Sequence, residues 1–339
     1  MSKGWTYSKA GVNIDDKSKA ISSLVDELKF KRKGIGQMVR IPGLFASLID
    51  FGDKYLTLAT DGVGTKLLIA KELNIWDTVG IDCIAMNVND TICVNSEPVS
   101  FVDYIAIDHP DDAVTKEIGK GLEKGAKLSN MEIVGGEIAV LPEIVNCIDL
   151  SGTCLGFVEK GKEITGEKCE EGDAIVSLRS TGLHSNGYTL ARKVLESSNI
   201  SLNDKIKGLS KKVGLELLTP TEIYVKQVLE ITGEFQVHGL VNITGGGLRN
   251  LLRMKKGLRY VIDDPVAPAP IFKIIQELGE VDDREIYQTL NMSMGFMMVL
   301  PEADASDLVK RYKNADIVGR VEKGNGVLLG PGNILYEKY

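Results

Sequence analysis

The chain is short of the residues that build metal centres and disulfide frameworks, with 5 cysteines and 3 histidines among 339 residues. None of Cys83, Cys93, Cys147, Cys154 and Cys169 falls in a CxxC pair, so neither a thiolate zinc site nor a disulfide framework is indicated. His109, His184 and His238 form no HExxH motif and no pair at helical spacing, so any metal would sit on oxygen. No apolar run approaches the length of a membrane span. The first seven residues carry neither the apolar core of a secretory signal nor the Arg-rich pattern of an import sequence, which makes a cytoplasmic location the expectation. Lys and Arg number 40 against 47 Asp and Glu, a formal charge of −7, and they are scattered. That balance argues against nucleic acid and for a small-molecule partner.

What is there reads as two α/β domains. The length suits two cores, and the polar segment Glu159 to Gly172, with glycines at 161, 166 and 172, is the natural boundary. The domains are placed at 1–165 and 166–339. In the first, residues 20–30 read as a short amphipathic helix, 31–43 as a mobile loop, Tyr55–Thr60 as an alternating strand and Leu67–Leu73 as a helix. A helix from Thr78 puts Ile81, Ile84, Ala85, Val88 and Ile92 on one apolar stripe, with Asp82, Asn89 and Asp90 off it. Strands at Val99–Ile107, Glu132–Val134 and Ile144–Val158, with a helix over Ala113–Leu128, complete a mixed unit.

The second domain opens with strand Ala174–Leu178, a polar loop Ser180–Gly187 and a helix from Tyr188. Thr219-Pro220-Thr221-Glu222 has the form of a capping box with proline at the first helical position, which predicts a helix from Pro220 to Ile231. Strand Val237–Ile243 meets Thr244-Gly245-Gly246-Gly247 and a helix over Leu248–Met254. Strands at Arg259–Ile262, Met294–Leu300 and near Ile317 and Val327 alternate with helices at Ile271–Leu278 and Ala303–Tyr312.

Chemistry concentrates where strands meet glycines. Strand Tyr55–Thr60 runs into Asp61-Gly62-Val63-Gly64-Thr65-Lys66, where Gly62 and Gly64 let backbone amides approach an anion and Lys66 adds a point charge. The loop is not a Walker P-loop, since GxxxxGK[ST] is absent. Asp61 would repel phosphate unless a divalent cation lay between them, so it reads as a ligand for the magnesium of a nucleotide. Alone, the loop is also a glycine turn with a capping aspartate. Residues 78–98 contain no basic residue, and an acid-only face carrying Asp82, Asn89 and Asp90 needs a counter-charge that a metal would supply. Glu137, after Gly135-Gly136, is a further oxygen ligand or an ordinary turn acid. Gly245 and Gly246 could hold a second phosphate, or the three glycines could let strand and helix pack tightly. His184, with Asn186 beside it, could bind phosphate or move a proton near neutral pH, or act as a capping residue. His238 reads as structural and His109 as exposed.

The order of these segments resembles the phosphoribosylformylglycinamidine cyclo-ligase family. The resemblance runs through Tyr7–Val12, Thr60–Lys66, Gly80–Asp82, Val88–Asp90, Phe101–Tyr104 and Gly135–Glu137. It continues through His184–Tyr188, Leu218–Val225, Val237–Gly239, Thr244–Gly247 and Met294–Met298. It implies ATP-dependent closure of formylglycinamidine ribonucleotide to aminoimidazole ribonucleotide in purine synthesis. It also implies a homodimer whose N-terminal domains pair their sheets into a barrel, beside C-terminal mixed sheets flanked by helices. By position it makes Asp61, Asp90 and Glu137 the Mg2+ ligands, and His184 and Asn186 active-site groups with Lys66. Asp61, Gly62, Gly64, Thr65, Lys66, Asn89, Gly135, Gly136, Gly245 and Gly246 become nucleotide contacts. The chain departs from the family pattern at Val39–Phe45 and at Ile138 and Val140, and contacts there are not carried over. A thiamine-monophosphate kinase, a selenophosphate synthetase or a non-catalytic nucleotide sensor is the alternative. A selenophosphate synthetase would want a reactive cysteine in its N-terminal loop, and none precedes Cys83.

Overall fold

The computed structural model describes residues 4–338. Its first half runs α1 (Ile14–Glu27), β1 (Met38–Val39), β2 (Ser47–Phe51), β3 (Lys54–Gly62), α2 (Leu67–Leu73), α3 (Val79–Ile92), β4 (Glu97–Ile107), α4 (Asp112–Ser129), β5 (Glu132–Val140) and β6 (Ile148–Glu159). The second half runs β7 (Ala174–Arg179), α5 (Tyr188–Ser197), α6 (Val213–Leu217), α7 (Val225–Glu234), β8 (Gly239–Asn242), β9 (Leu258–Ile262), α8 (Pro270–Gly279), α9 (Asp283–Thr289), β10 (Met294–Leu300), α10 (Glu302–Arg311), β11 (Ala315–Lys323), β12 (Gly326–Leu329) and β13 (Ile334–Tyr336). Short 3-10 segments lie at Gly64–Lys66, Gly247–Arg253 and Pro331–Asn333.

Two mixed sheets result, which makes the fold α/β. The first has order β1-β2-β3-β6-β4-β5, antiparallel except for the β4–β5 pair. Along β6, Leu150, Gly152, Cys154, Gly156 and Val158 are buried, while Ser151, Thr153, Leu155 and Phe157 on the opposite face are only half-buried. The buried face lies under α3, which in turn packs on α4. The other face has no cover among the described residues, although it carries Leu58, Val102 and Tyr104, each more than 40% exposed. In the second sheet, β13-β12-β9-β11-β7-β10-β8, strands β7, β10 and β8 are buried along both faces apart from Arg179. Every residue of β10 is buried, as an unbroken apolar run requires.

Helix α3 joins the halves. Thirteen of its fourteen residues are buried and only Asp90 stays partly open, because α3 lies between its own sheet and α7 and β8 of the second half. The acid face, expected to lie off the buried stripe, is therefore an interior face as well.

Residues 219–224 differ most from their sequence pattern. Despite the capping box they are not helical, and α7 begins only at Val225. Backbone groups that a helix would need are engaged by side chains of the first half. Thr219 O accepts from Lys66, Thr221 N–H donates to Asp82, Glu222 O accepts from Asn89 and Tyr224 N–H donates to Asn89. Two further corrections concern strands: β5 extends through Gly135-Gly136-Glu137 to Val140 instead of ending there, and β6 begins at Ile148 instead of Ile144.

Candidate active site

Strand β3 carries Asp61 to the edge of a cleft between the halves, and α3 brings Asp90 beside it. Asn87 of α3 fastens the strand end, its Nδ2 donating to Asp61 O at 3.2 Å and to Cys83 O at 2.8 Å. Asp61 keeps solvent-accessible surface inside the cleft, where protein surrounds its carboxylate, and it accepts the Gly62 N–H at 2.7 Å. Burial by the surrounding protein raises its pKa, against the lowering effects of that N–H and of Lys17. Asp90 accepts from Asn242 Nδ2 of β8 at 2.8 Å. Burial, and then the charge of Asp61, push its pKa up to about 7, while Asn242 and Arg253 oppose the rise. Two carboxylates that each resist ionisation, side by side at a cleft, form a place where a cation would be stabilised.

The opposite wall comes from the second half. Asn186, the turn Thr244–Gly246, Arg249 and Arg253 face the acids across a cavity of about 270 Å³, with Phe45 at its edge. Tyr7, Val12, Lys17 and Ile21 of the N-terminal segment also line it. The glycines of the turn divide the labour. Gly247 has φ 52°, and a Cβ there would meet Tyr287 O at 2.1 Å, so it serves tight packing. Gly245 lies open to the cleft, its bare α-carbon admitting Asn186 Oδ1 3.0 Å from where a Cβ would be. Arg253 stacks on the Phe45 ring at 4.3 Å. Acids on one wall, with a glycine turn and guanidinium groups on the other, match a magnesium-bound phosphate. A larger groove of about 610 Å³ lies on the second sheet, but of its two acids, Asp264 and Asp316, the second is bound by Arg179, and no glycine lines it.

Several predicted site residues are placed elsewhere. Lys66 points away from the cleft. Its Nζ is fully buried and donates to Asp82 Oδ1 at 2.8 Å, His184 O at 3.0 Å and Thr219 O at 2.8 Å. With its three donors spent, it is not free to contact phosphate. Two amides of its loop are likewise occupied, Gly62 N–H by Asp61 and Val63 N–H by Leu150 O, while the Thr65 hydroxyl shares a hydrogen bond with that of Thr189 of α5. Gly62, Gly64 and Thr65 do not line the cleft; of this loop only Asp61 does. Asn89 is buried, with both ends of its amide on residues 222–224. His184 is buried at φ 63° and its Nε2 accepts from Thr181 N–H at 3.4 Å. Burial and then the Lys66 charge push its pKa down to about 3, so it remains neutral and is no proton shuttle near pH 7.

Glu137 is exposed on edge strand β5, opposite Tyr104. Counting β3–β6–β4–β5, it lies three strand spacings, about 14 Å, from the Asp61 strand. Gly135 and Gly136 are strand residues; a Cβ on Gly136 would meet Asp103 Oδ1 at 2.5 Å, so this glycine makes room for a neighbouring carboxylate. Among the described residues no cluster of three or more His, Cys, Asp or Glu could hold a metal.

Sequence reasoning overlooked Arg249 and Arg253, although a basic pair four residues apart directly after the glycine turn was readable. It also overlooked Asp103, which shares a sheet row with Asp61 through Gly152 and whose carboxyl is raised by burial. No cysteine lines the cleft, and burial raises all five thiols.

Residues 45–158 match the family model for AIR synthase related protein, N-terminal domain, and residues 170–329 that for AIR synthase related protein, C-terminal domain. A phosphoribosylformylglycinamidine cyclo-ligase of Methanococcoides burtonii is 49% identical over 320 residues, covering 94% of this chain and 95% of the relative. One of Methanosarcina barkeri is also 49% identical with the same coverage. Among solved structures, AaThiL complexed with AMPPCP and TMP has a TM-score of 0.66 at 17% identity, over 96% of this chain and 97% of that one. Thiamine monophosphate kinase from Aquifex aeolicus gives 0.63 at 18%, over 93% and 97%. At such identities the likeness is one of fold.

Proposed function

The chain belongs to the phosphoribosylformylglycinamidine cyclo-ligase family of AIR synthase related proteins, and from that premise we propose that the cleft between Asp61, Asp90 and the Thr244–Gly246 turn is its active site. The reaction is the ATP-dependent closure of formylglycinamidine ribonucleotide to aminoimidazole ribonucleotide. Transfer of the γ-phosphoryl group to the formyl oxygen releases ADP and turns a poor leaving group into a good one. The substrate's own nitrogen then attacks that carbon and phosphate departs. This chemistry needs no enzyme nucleophile, which agrees with a cleft lacking cysteine and with a neutral, buried His184.

The observation that carries the reading is the division of the cleft into an acid wall and a basic, glycine-turn wall. Asp61 and Asp90 would hold Mg2+, which when bound neutralises phosphate charge; two carboxylates suit an ion that takes its other ligands from phosphate and water. Arg249, Arg253 and the amides of Gly245 and Gly246 hold phosphate from the other side, and Asn186 orients the reacting groups. Such positioned groups are worth about 3 kcal/mol each in the transition state. Two domains, 1–165 and 166–339, meet at this cleft.

The uncovered face of the first sheet, with Leu58, Val102 and Tyr104, supports a homodimer in which two such faces close into a barrel. No described helix is long and apolar enough to cross a membrane, and a cytoplasmic location suits a purine-pathway enzyme.

The test is turnover. Purified protein with formylglycinamidine ribonucleotide, ATP and Mg2+ yields aminoimidazole ribonucleotide and ADP, and Asp61→Asn lowers the rate on the order of 10²-fold. Absence of product from protein that binds ATP overturns the reading. Phosphorylation of thiamine monophosphate instead would establish the kinase alternative.

A further inference from the structure

The buried pair Lys66–Asp82 is not used by the reaction just described. Both side chains are fully buried, and Asp82 Oδ2 also lies 2.8 Å from the ammonium. Asp82 Oδ1 accepts three hydrogen bonds, from Lys66 Nζ at 2.8 Å, Thr221 N–H at 2.7 Å and Thr221 Oγ1 at 2.6 Å. Lys66 sends its remaining protons to the carbonyls of His184 and Thr219. One ion pair of the first half therefore grips two separate segments of the second. Burial lowers the Lys66 pKa, and the Asp82 carboxylate opposes that fall.

Stability alone does not account for such a pair, since a buried ion pair costs desolvation that apolar residues of the same volume would not incur. What it specifies is relative position. Lys66 ends the 3-10 turn five residues after Asp61, and His184 lies two residues before Asn186. The carbonyl that Lys66 holds belongs to a residue in the left-handed region, φ 63°, which is uncommon for a residue other than glycine. Asp61 and Asn186, both facing the cleft, are thus joined through a short chain of bonds that runs behind it.

We propose that Lys66 and Asp82 are positioning residues, which set the separation of the two cleft walls by clamping residues 184–186 and 219–221 onto the first half without touching nucleotide. The proposal rests on the cleft being the active site, and its test carries a readout that does not depend on turnover.

Three variants are compared with wild type: Lys66→Met with Asp82→Leu, which removes both charges together; Lys66→Met alone; and Thr221→Val, which deletes one bond and leaves the pair intact. The double variant should unfold at higher denaturant than Lys66→Met, because no charge is orphaned. It should nevertheless keep a kcat lowered on the order of 10²-fold, the cost of a misplacement of about 1 Å. Its Kd for Mg-ATP should stay within about threefold of wild type. Thr221→Val should lower kcat by about threefold to tenfold with KM unchanged, and it serves if the charge variants do not fold. Amide hydrogen exchange should rise at 182–187 and 219–224 and stay level in α3 and β10.

A Kd for Mg-ATP raised about tenfold or more in both Lys66 variants would make Lys66 a phosphate ligand and overturn the proposal. So would a kcat that recovers along with stability in the double variant, or exchange unchanged in the two clamped segments. Wild type without product but with the exchange pattern as expected would overturn the active-site reading and leave the clamp.

Discussion

Asp90→Asn distinguishes a metal-holding carboxylate from a structural one, because the two roles predict opposite changes in stability. Without a cation, burial and Asp61 raise the Asp90 pKa from its ordinary 3.8 to about 7. A rise of that size corresponds to about 4 kcal/mol against the charged form. Water reaches the cleft beside it at Asp61, so about 2 kcal/mol is the expected gain on removing the charge. The sign follows from linkage. A carboxyl whose pKa is raised in the fold leaves stability intact below the unfolded value, and the cost grows as pH rises toward 7, then stays constant. Asparagine keeps the acceptor that Asn242 Nδ2 needs. In EDTA at pH 8, Asp90→Asn should therefore unfold in urea with stability higher by about 2 kcal/mol, a gain that fades as pH falls toward 4. In Mg2+ and ATP the same variant should lose turnover on the order of 10²-fold. A variant less stable at pH 8 in EDTA, with Mg-ATP affinity intact, would refute the reasoning and make Asp90 a structural tie to β8.

His184 supplies a pH test. Its pKa is held down at about 3, so below the ordinary 6.5 of an unfolded histidine the unfolded chain takes a proton that the fold refuses. Stability present at pH 7 is lost as pH falls, by about 2 kcal/mol between pH 7 and 5 from this group. His184→Asn, which tolerates the left-handed backbone, should flatten that slope by a similar amount in denaturant titrations; an unchanged slope would show that His184 takes up its proton as readily in the folded chain as in the unfolded one. Asn89→Leu should cost about 2–4 kcal/mol, since it orphans Glu222 O and Tyr224 N–H in the interior, while the folded fraction keeps its Mg-ATP affinity by calorimetry. Weakened nucleotide binding without loss of stability would restore Asn89 as a ligand. Leu58→Asp, on the uncovered sheet face, should convert a dimer into a monomer in sedimentation; an assembly mass equal to wild type would place the dimer contact elsewhere.

The elements that could be read from sequence are those whose burial follows from their own period. Strand β6 alternates, β10 is a continuous apolar run, and β3 leads into glycines, and each emerges as expected apart from its ends. The misread elements are those whose partners are distant in sequence. Residues 219–224 carry a strong local helix start, yet the four backbone groups that matter are held by Lys66, Asp82 and Asn89, more than a hundred residues away. Local propensity is a weak prior against several buried hydrogen bonds. The same limit applies to Asp61-Gly62-Val63-Gly64-Thr65-Lys66. Its composition suggests a single phosphate cradle, but the 3-10 turn rotates its lysine into the interior while its aspartate faces the cleft.

The acid-only character of residues 78–98 also has a physical account different from the one composition suggests. Asp82 and Asn89 are seven residues apart, two turns, and so lie on one side of α3. That side meets residues 219–224, and its counter-charge comes from Lys66 together with the N–H groups of Thr221 and Tyr224. Asp90, one residue on and rotated by about 100°, is the α3 acid that reaches the cleft, where Asp61 adds to its charge instead of neutralising it. A lysine placed on this helix to balance Asp82 would have competed with Lys66 for the same carboxylate and loosened the tie between the halves. One placed to balance Asp90 would have occupied the position that a magnesium-bound phosphate requires. The missing basic residues thus reflect two separate demands on one helix, joining the halves along one side and leaving an uncompensated carboxylate at the cleft on the next.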